Sequence, residues 1–199
     1  LLQVSCGSRH TLAVSSLGAA YSWGWGACGQ LGHGNDRALA APRLIHVLAA
    51  DGIVVTTVGA GGIHSAAVTG QGHLYTWGGS CYGQTGLGPT AMAAGSVLLP
   101  QKVLLSSAIT AATSPAAVAD GIDGIDGTVE DEEAAPLLVT SISCGGMHMA
   151  AVTPEGTLYA WGRADSGQLG IGSDWVHDTD PHNNGLEWPQ QVCGPLKGK

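Results

Sequence analysis

The sequence predicts an all-β chain built from three similar four-stranded antiparallel units, and three observations carry that prediction. The 199-residue chain holds 32 glycines and is charged at only 11% of its positions. That composition suits short strands and frequent turns, not disorder, which combines low hydrophobicity with high charge. A 28-residue segment recurs without a gap at residues 7–34, 61–88 and 145–172. Within it, apolar positions alternate with a period of two instead of 3.6.

The recurrence fixes the organisation of the chain. His10, His64 and His148 share one column, and Trp23, Trp77 and Trp161 share another. Gly29, Gly83 and Gly167 precede Gln30, Gln84 and Gln168, and two further glycine columns follow each pair. The first two histidines are 54 residues apart and the next two 84, so the second unit carries 30 additional residues. Each unit also has a proline after its glycines, Pro42, Pro100 and Pro189. The repeat units are expected at about 1–55, 56–138 and 139–199.

Each unit opens with a strand (residues 4–6 and 142–144) that leads to the histidine strand. There His10, Leu12 and Val14 share one face, with Thr11 and Ala13 on the other. Turns at 16–18, 70–72 and 154–156 join it as a hairpin to the strand bearing Tyr21 and Trp23 or their equivalents. Fourth strands are expected near 43–45 and 191–193. Small residues such as Ala13, Ala66, Ala67, Ala150 and Ala151 suit sheets covered closely on both faces. Sheets stacked radially about an axis, about 10 Å apart, have that property.

His-x-x-Ala-Val, Tyr-x-Trp-Gly and Gly-Gln-Leu-Gly, as in His10–Val14, Tyr21–Gly24 and Gly29–Gly32, resemble the repeats of the regulator-of-chromosome-condensation family. His148–Val152, Tyr159–Gly162 and Gly167–Gly170 repeat the pattern, and the second unit departs from it only at Thr85. The resemblance implies a β-propeller, seven-bladed in the family, of which this chain supplies about three blades. The remaining blades are expected in the same or another chain. The chain begins at Leu1 inside an expected strand, and so reads as an excised or processed piece. The related plant ultraviolet-B receptor-like propellers carry a chromophore tryptophan two residues before the repeat histidine. Ser8, Gly62 and Gly146 stand there, so photoreception by that route is not expected.

Charge and composition exclude several classes. Seven Lys and Arg against 15 Asp and Glu give a net charge of −8, and the basic residues are scattered. This argues against a patch that directly neutralises nucleic-acid phosphates. No apolar run approaches the ~18 residues of a membrane-spanning helix. Five cysteines, at 6, 28, 81, 144 and 193, form no CxxC pair. They read as reduced structural thiols of an intracellular protein, cytoplasmic or nuclear.

The remaining motifs have simpler structural explanations. Residues 24–29 spell GxGxxG, yet a glycine-rich turn follows where a dinucleotide site needs a helix. The three histidines sit in separate units, so each is expected to tie one strand or blade to the next instead of sharing a metal. The tryptophans are expected in the core. The glycines before each histidine and those around each glutamine are expected in turns with positive φ. Cys6 and Cys144 share a column with Ala60, which marks a small core position and argues against a Cys–His nucleophile. Asp174, His177, Asp178, Asp180 and His182 read as a polar loop in preference to a metal site. No catalytic set, cofactor site or metal site is expected.

Asp120, Asp123, Asp126, Glu130, Asp131, Glu132 and Glu133 supply seven of the fifteen acids and leave the rest of the chain at −1. They lie in a low-complexity insertion, residues 106–136, that contains no Lys or Arg. A solvated linker accounts for it; an acidic arm for a basic protein surface is the functional alternative. For the whole chain the leading expectation is a non-enzymatic scaffold that binds protein partners through propeller-face loops. The resemblance adds guanine-nucleotide exchange on a small GTPase, or substrate recognition within a larger ubiquitin ligase.

Overall fold

In the computed structural model, residues 1–50, 52–105, 135–172 and 185–192 are described. They form three four-stranded antiparallel sheets, the blades of a partial β-propeller. The first contains β1 (Gln3–Cys6), β2 (His10–Val14), β3 (Ala20–Gly24) and β4 (Leu39–Leu44) in that order. The second contains β5 (Val55–Ala60), β6 (His64–Thr69), β7 (Leu74–Gly79) and β8 (Ser96–Lys102). The third contains β9 (Ser141–Cys144), β10 (His148–Val152), β11 (Leu158–Arg163) and β12 (Gly185–Gln191). The fourth strand is an edge of each sheet, which explains how Pro42, Pro100 and Pro189 are tolerated within β4, β8 and β12.

The period-two pattern divides the core between two interfaces. In β6, buried along its whole length, Ala67 joins Leu12, Val14, Val58 and Trp77 between the first two blades. Ala66 and Val68 face the other way and join Met149, Ala151 and Trp161 between the second and third. Small side chains in β6 let both neighbours approach closely. The third-strand tryptophans each stand at a register shift against the fourth strand, between Ser22 and Gly24, Thr76 and Gly78, and Ala160 and Gly162. Such a bulge re-aims the side chain, and the glycine after it has φ of 104°, 99° and 96° in turn.

Two short helices interrupt the all-β pattern, α1 (His46–Ala49) and α2 (Pro89–Ala94). The repeat pattern gives no sign of the second, although Pro89 opens it and Gly95 closes it in the left-handed region at φ 73°. At the insertion, the described flanks run side by side. Leu104 bridges Pro136, and Leu105 N–H donates to the Ala135 carbonyl at 2.7 Å. The acidic residues 120–133 lie outside the described residues, as do Asp174, His177, Asp178, Asp180, His182 and Cys193.

Candidate functional site

The repeated polar residues form a connection between consecutive blades. After β3 the chain turns through Gly29 and Gly32, at φ 76° and 75°. The Gln30 side chain braces this turn, its Oε1 accepting from Cys28 N–H at 2.9 Å. Gln84 does the same for Tyr82 N–H and Gln168 for Ser166 N–H, both at 2.8 Å. The braced turn aims the backbone carbonyl of the glutamine at the following blade. The Gln30 carbonyl accepts from the indole N–H of Trp77 at 2.8 Å and from the Ser65 hydroxyl at 2.7 Å. Next around the axis, the Gln84 carbonyl accepts from the Trp161 indole at 3.1 Å. Gly34 and Gly88 N–H extend the link to the following blade's outer strand, donating to the carbonyls of Leu98 and Glu187 at 3.0 and 2.9 Å.

Histidine completes only one of the two junctions. His10 Nε2 lies 2.9 Å from Ser65 Oγ. The single Ser65 proton is used on Gln30, so His10 is the donor and carries its hydrogen on Nε2. The residue equivalent to Ser65 in the third blade is Met149. His64, fully buried, consequently has no hydrogen-bond partner on Nε2, and Nδ1 is unpartnered in both histidines. Burial depresses the His10 pKa to about 4. Burial, with the neighbouring histidines, depresses that of His64 to about 3. Both rings are neutral at physiological pH.

Trp77 and Trp161 are fully buried, whereas Trp23 is half-buried and has no acceptor among the described residues. Gln168 correspondingly has no following tryptophan among them. On the Trp23 blade, Leu1, Leu2 and Val4 are exposed. The column 11, 65, 149 is not conspicuous in the sequence, because it is not uniform. Its variation between Thr11, Ser65 and Met149 carries the signal.

The glycines before the histidines correct one expectation. Gly7, Gly61 and Gly145 do not have positive φ. They are needed for close approach: a Cβ on Gly7 would lie 2.7 Å from Nδ1 of His10, and one on Gly61 would lie 2.7 Å from the Gly145 carbonyl of the next blade. The Cys6/Ala60/Cys144 column is also not uniform. Cys6 is exposed, while Cys144 packs against Gly59 of the second blade and burial pushes its thiol up to about 12. The same end of the blades carries Arg9 over the Trp25 ring at 5.7 Å and Arg163 over Tyr82 at 5.2 Å. Arg163 also pairs with Asp165. Among the described residues, no three His, Cys, Asp or Glu side chains group to hold a metal ion, and no helix is long and apolar enough to cross a membrane.

Comparison with known proteins agrees with this geometry. The family profile described as the regulator of chromosome condensation (RCC1) repeat matches residues 18–68, 71–114 and 155–199. A second profile of the same description matches 2–30 and 139–168. The human E3 ubiquitin-protein ligase HERC2 is 34% identical over 221 residues, spanning 98% of this chain and 4% of the ligase. The ultraviolet-B receptor UVR8 of Arabidopsis thaliana is 32% identical, spanning 85% of this chain and 31% of the receptor. The crystal structure of Prp20p from Saccharomyces cerevisiae, described with its binding to Gsp1p and histones, superposes with a TM-score of 0.68 at 19% identity. It covers 98% of this chain and 39% of Prp20p. The chain thus spans well under two-thirds of each of these proteins. With its glutamine turns, interblade tryptophans and profile matches over most of its length, the chain belongs to the regulator of chromosome condensation repeat family.

Proposed function

We propose that this chain is part of a non-enzymatic propeller scaffold that binds protein partners through the loops of its faces. One observation carries the reading. The glutamine and tryptophan columns, which could otherwise suggest chemistry, are used in turn bracing and interblade hydrogen bonds. What remains for recognition is the loop-bearing surface, together with the acidic insertion as an arm for a basic protein surface. Further blades, in the same or another chain, cover Trp23 and the exposed residues of β1. Crosslinking and affinity capture, with and without residues 106–136, test this. Partners retained by the propeller support it; a catalytic activity that is lost on mutating one polar cluster overturns it.

The likeness to HERC2 favours a second reading, substrate recognition within a larger ubiquitin ligase. Sequence flanking this chain that encodes a ligase domain would support it. Guanine-nucleotide exchange on a small GTPase is a third, prompted by the Prp20p description. Failure to accelerate nucleotide release across a panel of small GTPases would remove it.

A further inference from the structure

A cleft of about 450 Å³ opens at the hairpin end of the second blade, away from the Arg9 and Arg163 face. One wall is the segment entering β5, with Ile53 and Val54; the other is the β6–β7 turn with Thr69 and His73, and beyond it Tyr75 and Lys102. Both walls are fixed by backbone hydrogen bonds. Gly70 N–H donates to the Val54 carbonyl at 2.8 Å, Val55 N–H to Gly18 at 3.0 Å, and Gly72 N–H to Thr69 at 2.9 Å. A cleft with walls held this way requires little ordering on binding, and its volume lies within the ~300–1,000 Å³ of ligand sites.

The chemistry of the lining is asymmetric. Lys102 holds its ammonium 5.9 Å from the centre of the Tyr75 ring, and no carboxylate pairs with it among the described residues. Burial and the Lys102 charge keep the His73 imidazole below its ordinary pKa. Near pH 7 Lys102 is therefore the formal charge among the described lining residues, in a chain whose overall charge is −8. Opposite it Val54 is 52% exposed and Ile53 half-buried, an apolar ledge beside a single cation.

We infer that this cleft docks an acidic peptide segment of a protein partner. A Glu or Asp carboxylate pairs with Lys102, and an adjacent aliphatic side chain rests on Ile53 and Val54. Thr69 and His73 supply polar edges for the peptide backbone. The inference rests on the scaffold reading and assigns it a surface and a partner chemistry.

The test uses the full chain and a fluorescein-labelled peptide with a leucine between two glutamates, alongside its glutamine counterpart. Saturable anisotropy is expected for the glutamate peptide, weakened at least about tenfold by Lys102→Ala, largely kept by Lys102→Arg, and weakened by added salt. Val54→Asp should weaken it as well, and amide shifts on titration should centre on residues 52–54 and 69–73. Equal binding of the glutamine peptide, indifference to Lys102→Ala, or no saturation at millimolar peptide overturns the inference. Binding that appears only when residues 106–134 are deleted makes the chain's own insertion the occupant, which also overturns it. Affinity capture with the Lys102→Ala chain separates the two readings: an unchanged set of partners removes the cleft and leaves the scaffold standing.

Discussion

The indole N–H of Trp77 donates to the backbone carbonyl of Gln30 in the preceding blade at 2.8 Å, and the Trp77 side chain is fully buried. Trp23 occupies the same column with no such acceptor among the described residues and remains half-buried. Trp77→Phe keeps most of the apolar area but removes the donor, and should cost about 1–2 kcal/mol in urea unfolding. Trp23→Phe should cost less than about 0.5 kcal/mol. Equal costs would mean that the interblade hydrogen bond contributes nothing measurable.

The histidine column allows a similar internal comparison. His10 bonds Ser65 through Nε2 and leaves only its Nδ1 unpartnered, whereas His64 is buried with both nitrogens unpartnered. A buried polar group without a partner carries a desolvation cost of ~1–3 kcal/mol. His10→Leu should therefore destabilise the chain distinctly more than His64→Leu, which exchanges an unsatisfied ring for an apolar side chain. Ser65→Ala should cost about 1–2 kcal/mol, because it breaks both the His10 and Gln30 contacts. A larger loss for His64→Leu than for His10→Leu, measured by chemical unfolding, would contradict this account.

Much of the fold could be read from the sequence because a repeat states its hydrogen-bonding plan three times. The Trp-Gly pairs, the glutamine turns and the two-residue alternation each correspond to a local geometry in the blades. What could not be read depends on contacts between blades. The sequence treats His10 and His64 as equals, and only the neighbouring blade distinguishes them, by presenting Ser65 to one and Met149 to the other. Gly7 and Gly61 likewise read as turn glycines, because a close approach leaves the same residue in the sequence as a positive φ. The six-residue α2 turn lies between Gly88 and Pro100, a segment 4 residues longer than its counterpart in the first unit, so the repeat offers no template for it. The Lys102 cleft was invisible because its two walls come from different units.

Glycine substitutions separate backbone strain from crowding. Gly95 has φ 73° and open space where an added methyl group would stand, so Gly95→Ala should cost only about 1 kcal/mol of left-handed strain. Gly86 has φ 67°, and there a Cβ would also lie 2.7 Å from the Trp161 indole nitrogen. Gly86→Ala should therefore cost about 3 kcal/mol or more. Loss of the Trp161 fluorescence environment should accompany it, and an unchanged emission spectrum would argue against displacement of that indole.

Thiol labelling should resolve the cysteine column. Cys6 is exposed, whereas Cys144 is half-buried, with its thiol pKa raised to about 12 by burial. The thiolate is the reactive form, so Cys6 should label rapidly at pH 8 under native conditions, and Cys144 only on unfolding. Labelling of both at one rate, read by peptide mass mapping, would show that the contact between β9 and Gly59 opens freely.

Acid should weaken the blade junctions over a defined window. The His10 and His64 pKa values fall from 6.5 in the unfolded chain to about 4 and about 3 in the folded one. Between those limits the unfolded chain binds protons that the folded chain refuses, so stability falls as pH falls. The contribution is intact above about 6.5, declines below it, and levels off once pH passes below about 3. One pH unit of depression corresponds to about 1.4 kcal/mol, so each ring accounts for a few kcal/mol across the full window. The His10→Leu/His64→Leu double variant should show a visibly shallower decline between pH 6.5 and 4 than the parent, in urea midpoints measured at fixed ionic strength. Parallel profiles for the two would place the acid sensitivity in other groups.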